Sequence, residues 1–160
     1  MTKKLNKKLL ISILVFIFLI LISAYIIEYN LGYEPCNLCI YERIPYFFSI
    51  LLISKIFFND SYERVTLLIL SLTFIISSLL AFYHFGIEQG FFKESLACET
   101  RKITENLSKE ELLSQLEQNV VSCKDVSLRI LGFSLASINT VFSIILSAIF
   151  AKLFISYDKN

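Results

Sequence analysis

Three runs without a charged side chain, residues 9–27, 65–87 and 130–151, decide most of what this chain can become. At 19, 23 and 22 residues, each is long enough to cross a hydrocarbon core of about 30 Å as a helix. A fourth apolar run, 44–58, contains Lys55. Its uncharged part, residues 44–54, rises only about 16 Å at about 1.5 Å per residue. A spanning helix there has to begin near Ile40 and take in Lys55, which sets Arg43 at the edge of the bilayer. With 160 residues and 56% hydrophobic side chains, the expectation is one all-α membrane domain over residues 1–160. It is a four-helix transmembrane bundle with spans at about 9–27, 40–58, 65–87 and 130–151, and outer loops at 28–39 and 88–129.

The net charge of +1 hides an asymmetry. Lys3, Lys4, Lys7 and Lys8 precede the first run, whereas residues 28–43 carry Arg43 against three glutamates. A cytoplasmic amino terminus follows, and with four spans the short loop 59–64 and the tail 152–160 are cytoplasmic too. Lys55, Arg64, Lys152 and Lys159 then join the inner side. Of the outer basic residues, all but Arg43 fall in the long 88–129 loop, where the charge bias is weakly enforced. All four cysteines, Cys36, Cys39, Cys98 and Cys123, then lie in non-cytoplasmic loops, where disulfides persist. The first run exceeds the core of a cleaved signal and no Ala-x-Ala site follows it, so it is read as a retained span.

Cys36 and Cys39 form a Cys-x-x-Cys, and Pro35 before them marks a helix start. Such a pair can close a small-ring disulfide, with a thiolate stabilised by the helix amino terminus by about 0.3–1 kcal/mol. The same spacing also serves zinc or simple packing. If one helix runs on from Cys36, Arg43 stands at i+4 from Cys39, where its guanidinium favours a Cys39 thiolate and can donate to a carbonyl oxygen. Arg43 also has a plainer reading, an interfacial arginine paired with Glu42 or a lipid phosphate, and Pro45 would kink or restart the helix just beyond it. His84, the single histidine, lies near the outer end of its span, suited to proton relay or to binding a polar head group, or else an interfacial residue beside Tyr83. In the outer loop, Ser108 and Glu111 resemble a capping box, and Leu112, Leu113, Leu116 and Val120 recur at helical spacing. They suggest a short amphipathic helix on the membrane surface, flanked by Cys98 and Cys123. A purely structural disulfide between that pair would be worth about 3–4 kcal/mol. Small residues Gly132, Ser134, Ala136 and Ser137 permit close helix approach, and Asn139 must find a partner inside the bundle.

Taken together, Pro35-Cys-Asn-Leu-Cys-Ile-Tyr-Glu-Arg43, Tyr83-His-Phe-Gly-Ile-Glu88, the Cys98 and Cys123 pair, and Gly132-Phe-Ser-Leu-Ala136 followed by Asn139 resemble the DsbB family of disulfide bond formation proteins, in order and over the whole chain. The resemblance implies a bacterial inner-membrane oxidoreductase that reoxidises a periplasmic DsbA-like thioredoxin-fold protein and passes two electrons to ubiquinone or menaquinone. It implies that Cys98 forms the mixed disulfide with the partner and that Cys123 completes the loop disulfide. Cys36 and Cys39 then receive the electrons, with Cys39 as the thiolate facing the quinone. Arg43 matches the family's quinone-site arginine and His84 its histidine near that site.

Other readings stand beside this one. A vitamin K epoxide reductase-like chain also has a membrane bundle and four cysteines, but it places the loop pair before the Cys-x-x-Cys. A tetraspan scaffold would use its disulfides for stability only. No metal is expected, since the second cysteine pair lacks the close spacing of a four-cysteine zinc site. No phosphate loop and no basic nucleic-acid patch is present.

Overall fold

The computed structural model describes residues 7–58, 62–94, 98, 121–124 and 128–158. The amphipathic segment expected around 108–120 lies outside them. Helix α1 is Lys7–Tyr29, α2 Asn37–Tyr41, α3 Ile44–Phe58, α4 Glu63–Glu88 and α5 Leu135–Asp158. Strands β1 (Arg129–Ile130) and β2 (Phe133–Ser134) form a two-stranded antiparallel hairpin. Helices α1, α4 and α5 are long and apolar enough to cross a membrane, and the chain is a helical membrane protein.

The helices follow from apolar runs whose backbone groups must be satisfied within the segment. In α1 only Leu10, Ile13, Ile17 and Leu21 are buried, one stripe at helical spacing, while Phe18, Leu19, Ile22 and Ile26 face outward. That stripe meets Tyr46, Ile53 and Ile56 of α3, Leu67, Leu70 and Phe74 of α4, and Leu146 and Phe150 of α5 in one core. Phe74 stacks on Phe150 with centroids 5.7 Å apart and meets Tyr46 edge-on at 5.6 Å. Serines let α4 and α5 approach closely: Ser71 Oγ donates to the Ser147 carbonyl (3.4 Å) and Ser147 Oγ to the Ser71 carbonyl (3.5 Å).

Two boundaries differ from the sequence expectation. The run starting at 40 does not form one helix: α2 stops at Tyr41 and α3 starts at Ile44. Pro45 has no N–H to continue the ladder and is suited to the first turn of a new helix. The last run does not enter its helix at residue 130 but at Leu135, because Ser134 caps it: the Ser137 N–H donates to Ser134 Oγ (3.2 Å). Residues 130–134 instead turn through Leu131 (φ 52°) and Gly132 (φ 87°), the paired positive φ of a two-residue hairpin, so Gly132 serves a turn rather than helix packing.

The helix ends sort into two layers. At one end Lys55 lies over Tyr62 (5.9 Å) and Arg64 over Phe154 (5.2 Å), joining the end of α3, the start of α4 and the end of α5. At the other end are the close of α1 and α4, the start of α3 and α5, the hairpin and all four cysteines.

Candidate redox site

Cys36 caps α2: it is extended (φ −69°, ψ 164°) and its Sγ accepts from the Cys39 N–H at 3.3 Å. One helical turn then brings Cys39 Sγ back to 2.7 Å from Cys36 Sγ, both as free thiols. Cys36 is buried and Cys39 half-buried. The Cys39 thiol hydrogen-bonded to Cys36, followed by the contact with His84, holds the Cys36 thiol at about 5 against the opposing effect of burial. Cys39 is pushed up by the same shared hydrogen bond and by its own burial. Between the two thiols the shared hydrogen bond thus favours the thiolate at Cys36 and disfavours it at Cys39 while both are reduced.

The break at Glu42 and Arg43 ends the continuous face on which Arg43 would have stood above Cys39. The guanidinium instead joins α1, with Nη1 donating to Glu28 Oε2 at 2.5 Å and Cζ lying 5.0 Å above the Tyr25 ring. His84 takes the place beside the thiols: its Nε2 lies 3.5 Å from Cys36 Sγ and its ring is 3% exposed.

A chain of polar groups holds His84 there. Glu42, 7% exposed, lies 2.7 Å from His84 Nδ1 through Oε1 and accepts from Asn139 Nδ2 at 2.6 Å through Oε2. A carboxylate only accepts, so Nδ1 carries the proton and Nε2 is the nitrogen turned to sulfur. Asn139 Oδ1 accepts from the Tyr46 hydroxyl, which is 3.3 Å from Ser143 Oγ; Ser143 Oγ is 3.1 Å from Ser77 Oγ. The links cross between α3, α4 and α5 inside an apolar bundle, where unpaired polar groups would be costly. Glu88 adds a second carboxyl, with Oε1 3.9 Å from His84 Nε2 and Oε2 buried without a hydrogen-bond partner.

These groups line a cavity of about 420 Å³ between α1, α3, α4, α5 and the hairpin. Its walls are apolar, with Ile20, Leu21, Ile27, Ile138 and Phe142 among them, and Cys36, Cys39, Glu42, Arg43, His84 and Glu88 supply the polar end. That size and lining are those of a small-molecule site. Cys98 and Cys123 form a disulfide (Cα–Cα 5.4 Å), 1% and 2% exposed. They pack in one buried cluster with Cys36, Leu38 and Ile87, against Cys39 and Tyr83.

All six residues singled out from the sequence converge on this end of the molecule. The sequence assigns no role to Glu28, Tyr46 or Glu88, and to Glu42 only that of a candidate ion-pair partner for Arg43, although Glu42 and Glu88 both stand in the motifs quoted above. A carboxylate beside a membrane span is a functional signal in itself, and Glu42 and Glu88 carried it. Gly86 also finds its reason: a Cβ there would lie 2.2 Å from Phe92 Cδ2, and the Gly86 carbonyl accepts from the Phe91 (2.8 Å) and Phe92 (3.2 Å) N–H groups that reverse the chain after α4.

A family model described as disulfide bond formation protein DsbB matches residues 6–153. An uncharacterized protein of Rickettsia prowazekii (strain Madrid E) is 33% identical over 161 residues, covering 99% of this chain and 93% of the relative. No solved structure matches the chain. With a family match over nearly its whole length and both cysteine pairs gathered at one end of a helical bundle, the chain belongs to the DsbB family of disulfide-forming membrane oxidoreductases.

Proposed function

We propose that this protein is a protein-disulfide:quinone oxidoreductase of the bacterial inner membrane. It reoxidises a DsbA-like thioredoxin-fold protein in the periplasm and passes two electrons to ubiquinone or menaquinone. The observation that carries this reading is the shared burial of the Cys98–Cys123 disulfide with Cys36, on the wall of a cavity in which Cys39, Arg43 and His84 also stand. The layering of the helix ends supports an outward-facing site, because Lys7, Lys8, Lys55, Arg64 and Lys152 gather toward the opposite end, as cytoplasmic termini require.

Cys98 is buried, so the partner must first displace what covers it. The partner's thiolate attacks Cys98 Sγ, and Cys123 leaves as a thiolate. With Cys36 and Cys39 oxidised, Cys123 attacks Cys36 Sγ and expels Cys39. The partner's second thiolate closes the partner's own disulfide and frees Cys98, which attacks Cys123 and expels Cys36. One disulfide has been made in the partner and one broken between Cys36 and Cys39, so two electrons now rest beside the cavity. Stabilising the Cys36 thiolate favours the reduced pair, which raises its potential and lets it take electrons from a strongly oxidising partner near −120 mV.

The residues lining the cavity fit a quinone: apolar walls for a ring and tail, and donors at one end for a carbonyl oxygen. A bound quinone supplies an acceptor for two electrons and two protons. Arg43, with Nη1 committed to Glu28, has its remaining N–H groups for such an oxygen. His84 Nε2 is placed to take the Cys36 proton while Glu42 holds Nδ1.

The test is a quinone-reduction assay with purified protein in lipid, a reduced thioredoxin-fold oxidant and two quinones, ubiquinone and menaquinone. Reduction should depend on the partner and vanish in Cys39→Ser. Quinone reduction that survives this change would overturn the mechanism.

A further inference from the structure

Among the described residues, Cys36 Sγ, Cys39 Sγ and His84 Nε2 all lie within 4.8 Å of one another. The third of these comes from another helix, 48 positions beyond Cys36, so no local spacing in the sequence announces it. Two thiolates and an imidazole suit a zinc-class cation, with metal–sulfur and metal–nitrogen distances of about 2.3 and 2.1 Å. In a tetrahedron those bonds put sulfur and nitrogen about 3.6 Å apart. Cys36 Sγ and His84 Nε2 are at 3.5 Å already. Two sulfurs would stand about 3.8 Å apart, so Cys39 Sγ must swing outward by about 1 Å from its present 2.7 Å.

Two further observations point the same way. His84 Nδ1 donates its proton to a buried carboxylate, the arrangement that orients metal-binding histidines and fixes Nε2 as the ligating nitrogen. On the other side stands Glu88, its side chain 6% exposed, with Oε1 3.9 Å from Nε2 and Oε2 buried without a hydrogen-bond partner.

We propose that the reduced Cys36 and Cys39 pair, with His84 Nε2 and with Glu88 as fourth ligand, is a redox-gated binding site for zinc or a similar thiophilic divalent cation. Binding forms two sulfur–metal bonds, one nitrogen–metal bond and one oxygen–metal bond. The two thiol protons, the one from Cys36 either on its Sγ or on His84 Nε2, leave to water, and no electron moves. The disulfide form of the pair has no thiolate to offer, so only the reduced protein binds. A bound cation occupies both sulfurs and the cavity's polar end, which holds the pair reduced; that consequence for turnover rests on the function proposed above, whereas the binding itself does not.

The experiment uses full-length protein with Cys98→Ser and Cys123→Ser, in detergent, reduced without oxygen and stripped of quinone. Zinc is titrated against a chelator of known affinity, and X-ray absorption at the zinc edge counts the ligands. Expected are one zinc per chain, a shell of two sulfurs with nitrogen and oxygen, and affinity at least about 100-fold weaker once the pair is oxidised. Glu42→Gln should weaken binding about 10- to 100-fold through the histidine it orients. Equal affinity in the oxidised and reduced states, or a shell of sulfur alone, would overturn the proposal. Neither partner nor quinone is present, so failure here leaves electron transfer untouched, and failure of the quinone assay leaves this result standing.

Discussion

Replacing Cys39 by alanine removes the largest single influence on the Cys36 thiol. That thiol ionises at about 5 instead of the ordinary 9.0, first because the Cys39 thiol hydrogen-bonds to it and then because His84 stands against it, with burial opposing both. The unfolded chain has the ordinary value, so folding depresses this acid. The stability it lends the reduced protein is complete above about 9, shrinks as the pH falls, and is gone below about 5. A hydrogen bond to a charged group is worth about 1.5–3 kcal/mol, which at about 1.36 kcal/mol per pH unit moves the midpoint by about 1–2 pH units. The assay is the ultraviolet absorbance of the thiolate against pH, in reduced protein with Cys98 and Cys123 changed to serine. Alkylation rate at one pH is a poor substitute, because a thiolate's nucleophilicity falls along with its pKa and offsets the gain in ionised fraction. The parent should titrate with a midpoint at about 5. Cys39→Ala should titrate at least about 1 unit higher. A parent midpoint near 9.0, or one that Cys39→Ala leaves in place, would refute the reasoning.

Other expectations concern the groups around the pair. Arg43→Ala should raise the apparent quinone KM more than it weakens partner binding, and Glu28→Gln, which loosens the guanidinium without removing it, should raise that KM by less; steady-state kinetics with partner and quinone varied separately gives both rankings. Glu42→Leu leaves the buried His84 Nδ1–H and Asn139 Nδ2 without an acceptor, at about 1–3 kcal/mol each. Thermal unfolding in detergent should show that loss, and an unchanged midpoint would mean the carboxylate holds nothing together. Gly86→Ala pushes a methyl group into the Phe92 ring, so it should lower the same midpoint by an amount equivalent to about 1–3 kcal/mol. Gly86→Ala combined with Phe92→Ala should recover part of it.

By itself, the sequence determined that this chain is a membrane bundle and which end of it holds the sulfur. Uncharged runs of spanning length leave the backbone no state but helix, and the basic residues order the ends. The cysteine spacings, Arg43 and His84 were legible as motifs for the same reason that such residues stand out anywhere in an apolar chain: they are costly there without a use. Asn139 was read as needing a partner, and it has two, Glu42 and Tyr46.

Tertiary structure alone decided who touches whom. Local spacing paired Arg43 with Cys39 because it assumed an unbroken helix; Pro45 broke it, and the guanidinium went to Glu28 on a helix that the sequence reading treated as an anchor. His84 reached Cys36 and Glu42 across more than 40 residues of chain, a contact that no periodicity encodes. Which sulfur gives up its proton first depends on that contact and on the geometry of the α2 turn, since a pKa reports the few ångströms around an atom rather than its neighbours in the chain.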